Sequence, residues 1–211
     1  MSDNIDIKLW DAARDGDEAL VSQLIEQGAS VDWSEGGLID QLTALHGAAY
    51  RGHTPVVTLL LDAGWSLEAE TGGGDTPLAW VALRGHLEMA KCLLDRGANI
   101  NTQTSTKWTP LHRASYGGFT DLARLLLQRG ANQEIRNKDG KTASEYAKND
   151  ETRAVFSEFN HKRFKTKEDR ALEEKKGDNI SVSKKDVKRT KSAKKEADCE
   201  LLEKGTPPES E

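Results

Sequence analysis

A chain of 211 residues suffices for one domain of ordinary size with segments to spare, and 36% hydrophobic against 31% charged residues suits a soluble protein. No uncharged run approaches the roughly 18 apolar residues of a membrane span. The opening MSDNIDIKLW is acidic where a secretory leader would be basic and then apolar, so an intracellular location, cytoplasmic or nuclear, without membrane attachment is predicted. The net charge of −5 hides an asymmetry: residues 1 to 150 hold 14 Lys and Arg against 21 Asp and Glu, residues 160 to 195 hold 14 against 6, and residues 196 to 211 hold 1 against 6. Cys92 lies in the apolar run MAKCLL and Cys199 in a charged tail, neither near a second thiol or imidazole at metal spacing, so reduced cysteines and no metal are predicted.

In chain order, LWDAARDGDEALVSQLIEQGASVD (9–32) reads as two short helices broken at Gly16 and Gly28. The connection WSEGGLIDQL (33–42) follows, opened by Trp33. Three segments then align without gaps: TALHGAAYRGHTPVVTLLLDAG (43–64), TPLAWVALRGHLEMAKCLLDRG (76–97) and TPLHRASYGGFTDLARLLLQRG (109–130). Their threonines Thr43, Thr76 and Thr109 stand 33 apart, as do Gly52, Gly85 and Gly118. The glycines of the first segment precede their equivalents by 36, which places three extra residues in the 33–42 connection. DGKTASEYAKND (139–150) is a shortened fifth copy, with Thr142 again 33 after Thr109.

Each copy has its own local logic. Thr76 can cap a helix whose first turn holds Pro77, where the missing N–H costs nothing, and Gly85 and Gly97 supply left-handed stops. Leu87, Met89, Ala90, Leu93 and Leu94 fall on one broad apolar face. Helices this short bury too little alone, so each unit needs its neighbours. The polar Asp11, Arg14, Asp15, Asp17 and Glu18 at one end, and Ala143-Ser144-Glu145 in place of Pro-Leu-His at the other, mark units that face water. Val155, Phe156 and Phe159 in TRAVFSEFNHKRF (152–164) predict a closing helix on the last unit.

A period of 33 with a Thr-Pro-Leu-His-x-Ala signature resembles the ankyrin repeat family over about residues 5 to 158. The resemblance implies an all-α solenoid of helix-turn-helix units with projecting hairpin fingers: repeats at about 5–36, 37–72, 73–105 and 106–138, and a partial repeat at 139–160. It implies that His46 and His112 hydrogen-bond locally and between repeats, with Thr43, Thr76 and Thr109 as structural turn residues. Ala79 should leave its turn less firmly tied. A residue that recurs with the architectural period is explained by architecture, and His53 and His86 in the helix corners read the same way.

Motifs for catalysis are wanting. Gly140-Lys141-Thr142 resembles the end of a phosphate loop, but Ile135 stands where its first glycine belongs. Gly72-Gly73-Gly74 reads as a turn, and Ser115 has no G-x-S-x-G elbow. The reading is therefore a non-catalytic, cofactor-free and monomeric interaction module: an adaptor, scaffold or escort.

Positions where the copies disagree are the candidate contact surface. Beside the corner glycine stand Tyr50-Arg51, Leu83-Arg84 and Tyr116-Gly117; within the first helix, Gly47, Trp80 and Arg113; before the capping threonine, Leu42, Asp75, Trp108 and Lys141. By the family's geometry these line the concave face and the fingers, and Tyr, Trp and Arg are the residues that dominate interface energetics. The predicted protein-binding set is Tyr50, Arg51, Trp80, Leu83, Arg84, Trp108, Arg113 and Tyr116. The negative body favours a basic partner. Trp65 reads as a packing variant, and Asn101 falls where the family can be hydroxylated, although Asn99 replaces the usual acid two residues before.

Residues 161–211 lose aromatics after Phe164 and are predicted to be largely disordered, basic then acidic. Lys184, Lys185, Lys188, Arg189, Lys191, Lys194 and Lys195 form a basic cluster suited to nuclear import or to contact with nucleic acid. The alternative function is a nucleic-acid-associated regulator that uses this cluster while the repeats recruit a partner.

Overall fold

The computed structural model of the protein describes residues 4–30 and 42–160. Its α-helices come in pairs: α1 (Ile5–Asp15) with α2 (Glu18–Glu26), α3 (Ala44–Arg51) with α4 (Thr54–Asp62), α5 (Pro77–Arg84) with α6 (Leu87–Asp95), and α7 (Pro110–Gly117) with α8 (Thr120–Gln128). A 3₁₀ turn, Ala143–Tyr146, and a helical stretch over 150–160 close the series. Among the described residues β pairing is confined to isolated bridges, such as Arg136 with Thr142.

Helices of 8 to 11 residues are marginal in isolation, so burial between units must hold them. The buried positions repeat with the period. Leu45, Leu78 and Leu111 are each at most 2% exposed, and Leu60, Leu93 and Leu126 are wholly buried. Leu9 and Leu24 take the same places in the first unit, 36 residues before Leu45 and Leu60. Ala13, Ala49, Ala82 and Ser115 share one fully buried slot, where a small side chain lets first helices approach closely. The first helices of successive pairs contact one another more extensively than the second helices do, so the stack is tighter on the first-helix side.

The caps follow the predicted pattern. Thr76 Oγ1 accepts from the Ala79 N–H at 3.4 Å, and Thr109 Oγ1 from that of His112 at 3.3 Å. Gly52 ends α3 at φ 89°, a conformation that costs a side-chain-bearing residue dearly, and the His86 ring lies where its Cβ would be. His86 Nε2 hydrogen-bonds the Tyr50 carbonyl at 3.0 Å, and His53 does the same to Arg14 at 3.1 Å one unit earlier. Phe119 covers Gly85 in the third unit without such a bond.

Fingers join edge to edge. Within them, the N–H groups of Thr71, Thr104 and Asn137 reach the carbonyls of Asp75, Trp108 and Lys141 at 3.0 Å each. Between them, Ser105 N–H donates to Gly73 O at 2.8 Å and Lys138 N–H to Thr106 O at 3.0 Å. On the second-helix side, Arg96 meets Asp62 and Arg129 meets Asp95, both at 2.6 Å. Val155 and Phe156 of the closing stretch are buried in the core, and Phe159 packs against it. Trp65 is 5% exposed and belongs to the same core.

Candidate functional site

His46 and His112 are fully committed to the fold. His46 Nδ1 accepts from Thr43, N–H at 3.3 Å and Oγ1 at 2.9 Å, while Nε2 donates to the carbonyls of Ala69 and Asp75, both at 3.0 Å. His112 repeats this with Thr109 and the Lys141 carbonyl at 3.2 Å. A backbone N–H donating into Nδ1 fixes the Nε2–H tautomer, so each ring ties its own helix start to the base of the following finger. Burial pushes the His46 imidazole down to about 4, against the opposing pull of its two carbonyl partners, and burial likewise lowers His112. Rings held neutral with both nitrogens engaged have no free lone pair for acid–base work or a metal. Where Ala79 interrupts the series, Thr102 Oγ1 sits 3.3 Å from Thr76 Oγ1 and ties the turn in its place.

The candidate contact residues gather along the first helices in two aromatic groups. In the first, Tyr50 and Trp80 meet edge to face with centroids 5.2 Å apart, Arg84 stacks 4.6 Å over Tyr50, and Arg14 lies 4.8 Å over Trp10. In the second, Trp108 packs on Tyr146 at 4.7 Å and on Tyr116 at 5.7 Å, with the Lys141 ammonium 5.6 Å over Tyr146. Tyr116 is 59% exposed and Leu83 38%, so the row Tyr50, Leu83, Tyr116 presents apolar surface that no described residue covers. Arg51 and Arg84 are exposed, and Trp80 and Trp108 half-buried.

Arg113 sits differently. Its guanidinium pairs with Asp75, the two side chains 15% and 18% exposed, so it braces α7 against the finger base of the preceding unit. Asn101 also has a structural partner: its Oδ1 accepts the Asn132 N–H at 2.8 Å, as Glu68 accepts that of Asn99 one unit earlier. Trp33 and the basic cluster from Lys184 to Lys195 lie outside the described residues.

Two participants escaped the sequence reading. Trp10 stands 36 residues before His46 and occupies the histidine slot of the first unit. Tyr146 is 33 after Arg113, the next member of the series Gly47, Trp80, Arg113, and a search of the shortened copy at that register would have found it. Gly47, a variant position in the sequence, is a gap in the structure. Together with Trp10, Leu42, Tyr50 and Trp80 it lines a notch of about 210 Å³ on the first-helix side.

Two family models match the chain, both described as ankyrin repeats: one of three copies over residues 9–104 and one of many copies over residues 93–147. The chain belongs to the ankyrin repeat family, whose members are generally protein–protein interaction modules. No curated protein matches it. Among the described residues no helix is long and apolar enough to cross a membrane.

Proposed function

We propose that this protein is a non-catalytic adaptor, scaffold or escort that holds a protein partner across the first-helix side and the fingers. The observation that carries the reading is the row Tyr50, Leu83 and Tyr116, flanked by Trp80, Arg84 and Trp108. This is large, partly exposed apolar and cationic surface gathered on the first-helix side, at positions where the copies disagree in sequence. The rings brace one another across units, and the faces they leave exposed are of the kind that interfaces use.

The test is affinity capture with the full chain, followed by titration of the captured protein against wild type, Trp80→Ala, Trp108→Ala and Tyr116→Ala, each checked for intact helicity. Each substitution is expected to weaken binding by over about 1 kcal/mol, roughly fivefold. Unchanged affinity in all three would place the binding surface elsewhere.

A further inference from the structure

Gly47 lies inside α3, where glycine costs about 1 kcal/mol relative to alanine. Nothing in the fold demands it. A Cβ there would make only ordinary contacts: 3.6 Å to Arg14 Cβ, 3.8 Å to Arg14 Cα and 3.8 Å to Trp10 Nε1. The same position holds Trp80 and Arg113 in the next two units. What the missing side chain leaves is the notch, floored by Gly47 and walled by Trp10, Leu42, Tyr50 and Trp80.

Size and polarity restrict the occupant. About 210 Å³ exceeds the roughly 150 Å³ of an apolar cavity that accepts benzene, and falls below the roughly 300 Å³ at which pockets for whole small molecules begin. One apolar side chain fits. The indole N–H of Trp10, 3.8 Å from where a Gly47 Cβ would sit, and that of Trp80, a residue of the notch wall, are buried with no acceptor among the described residues, and an indole donor of this kind ordinarily finds a hydrogen-bond partner, such as the carbonyl a bound peptide backbone carries.

Charge sets the rest. The body is negative as a whole, but at physiological ionic strength only charges within about 8 Å govern a contact. Beside the notch, Arg14 is matched by Asp11 and Asp15, both at 3.0 Å. Arg51, on the notch wall, and Arg84, stacked on Tyr50, form no ion pair among the described residues, although Asp15, held low chiefly by its hydrogen bond to Arg14, also feels the charge of Arg51. The exposed acids Glu26, Asp62, Asp95 and Asp121 belong to the second helices.

We infer that the notch over Gly47 seats one apolar side chain of an acidic segment of a partner protein, whose flanking carboxylates pair with Arg51 and Arg84. This rests on the reading of the first-helix side as the binding surface, and assigns the partner's chemistry at one place on it.

A random peptide library displayed on phage, selected on the full chain, tests the assignment. Enriched peptides should place Asp or Glu beside an apolar residue, and should bind less tightly as salt rises. Affinity for such a peptide should fall about tenfold in Gly47→Leu and in Arg51→Glu/Arg84→Glu. Gly47→Ala, whose Cβ the fold accommodates, should bind severalfold more weakly while melting higher than wild type, which separates occupation of the notch from damage to the fold. Basic consensus peptides, no enrichment, or affinity indifferent to both Gly47 substitutions would overturn the inference. Peptides that depend on Trp108 and Tyr116 but not on Gly47 would overturn it and leave the broader reading of the surface standing.

Discussion

Acidification should loosen this fold through His46 before it reaches the ordinary carboxylates. The ring is 1% exposed, and burial holds its pKa at about 4, whereas in the unfolded chain it returns to the ordinary histidine value near 6.5. Above pH 6.5 the ring is neutral in both states and adds no pH dependence. Between pH 6.5 and 4 the unfolded chain takes up a proton that the folded chain refuses, so stability falls as pH falls, by up to about 1.4 kcal/mol per pH unit. From pH 7 to pH 5 the loss assigned to His46 is about 2 kcal/mol. The assay is urea unfolding of wild type and His46→Ala, followed by circular dichroism at both pH values. His46→Ala is less stable at pH 7, because the carbonyls of Ala69 and Asp75 lose their donor, but the gap between the two proteins should narrow by about 2 kcal/mol at pH 5. Comparing variants cancels the other titrating groups, His112 included, because they lie in separate units. Imidazole ¹⁵N chemical shifts supply the direct check on the tautomer and on the titration midpoint. Equal pH slopes in the two proteins, or a His46 midpoint near 6.5, would refute the argument.

Two further predictions concern the stack itself. Ser115 occupies a slot that Ala49 and Ala82 fill in the neighbouring units, and its buried Oγ has no partner among the described residues, so Ser115→Ala should stabilise by about 1 kcal/mol, read as a raised denaturation midpoint. Gly85 holds φ 78° with the Phe119 ring 2.5 Å from where a Cβ would sit, so Gly85→Ala should cost over about 2 kcal/mol in urea unfolding, and Gly85→Ala/Phe119→Ala should lose less than the sum of the two single changes.

The period, the capping threonines and the paired helices were legible because each is written into spacing: Thr43, Thr76, Thr109 and Thr142 recur at a single interval, and the helix stops recur with them. The notch was not, because a gap belongs to several residues at once. Gly47 is visible in the sequence, but its emptiness depends on Trp10, which reaches the site through a unit offset by 36 instead of 33. The pairing of Arg113 with Asp75 was hidden for a similar reason. It joins two different series of positions across a unit boundary, and side-chain reach has no period. The local charge around the notch was hidden in the same way: counting the whole body gives an acidic sum and does not show that Arg51 and Arg84 stand apart from the second-helix carboxylates.

The bonds that cross from one unit to the next, from Ser105 to Gly73 and from His53 to Arg14, span sequence separations of 32 to 39 residues. No distant ends of the chain need to find each other before these contacts begin to form. Assembly can therefore start from whichever adjacent pair of units orders first and advance like a zipper in both directions, with the rapid kinetics of a fold whose contacts are local.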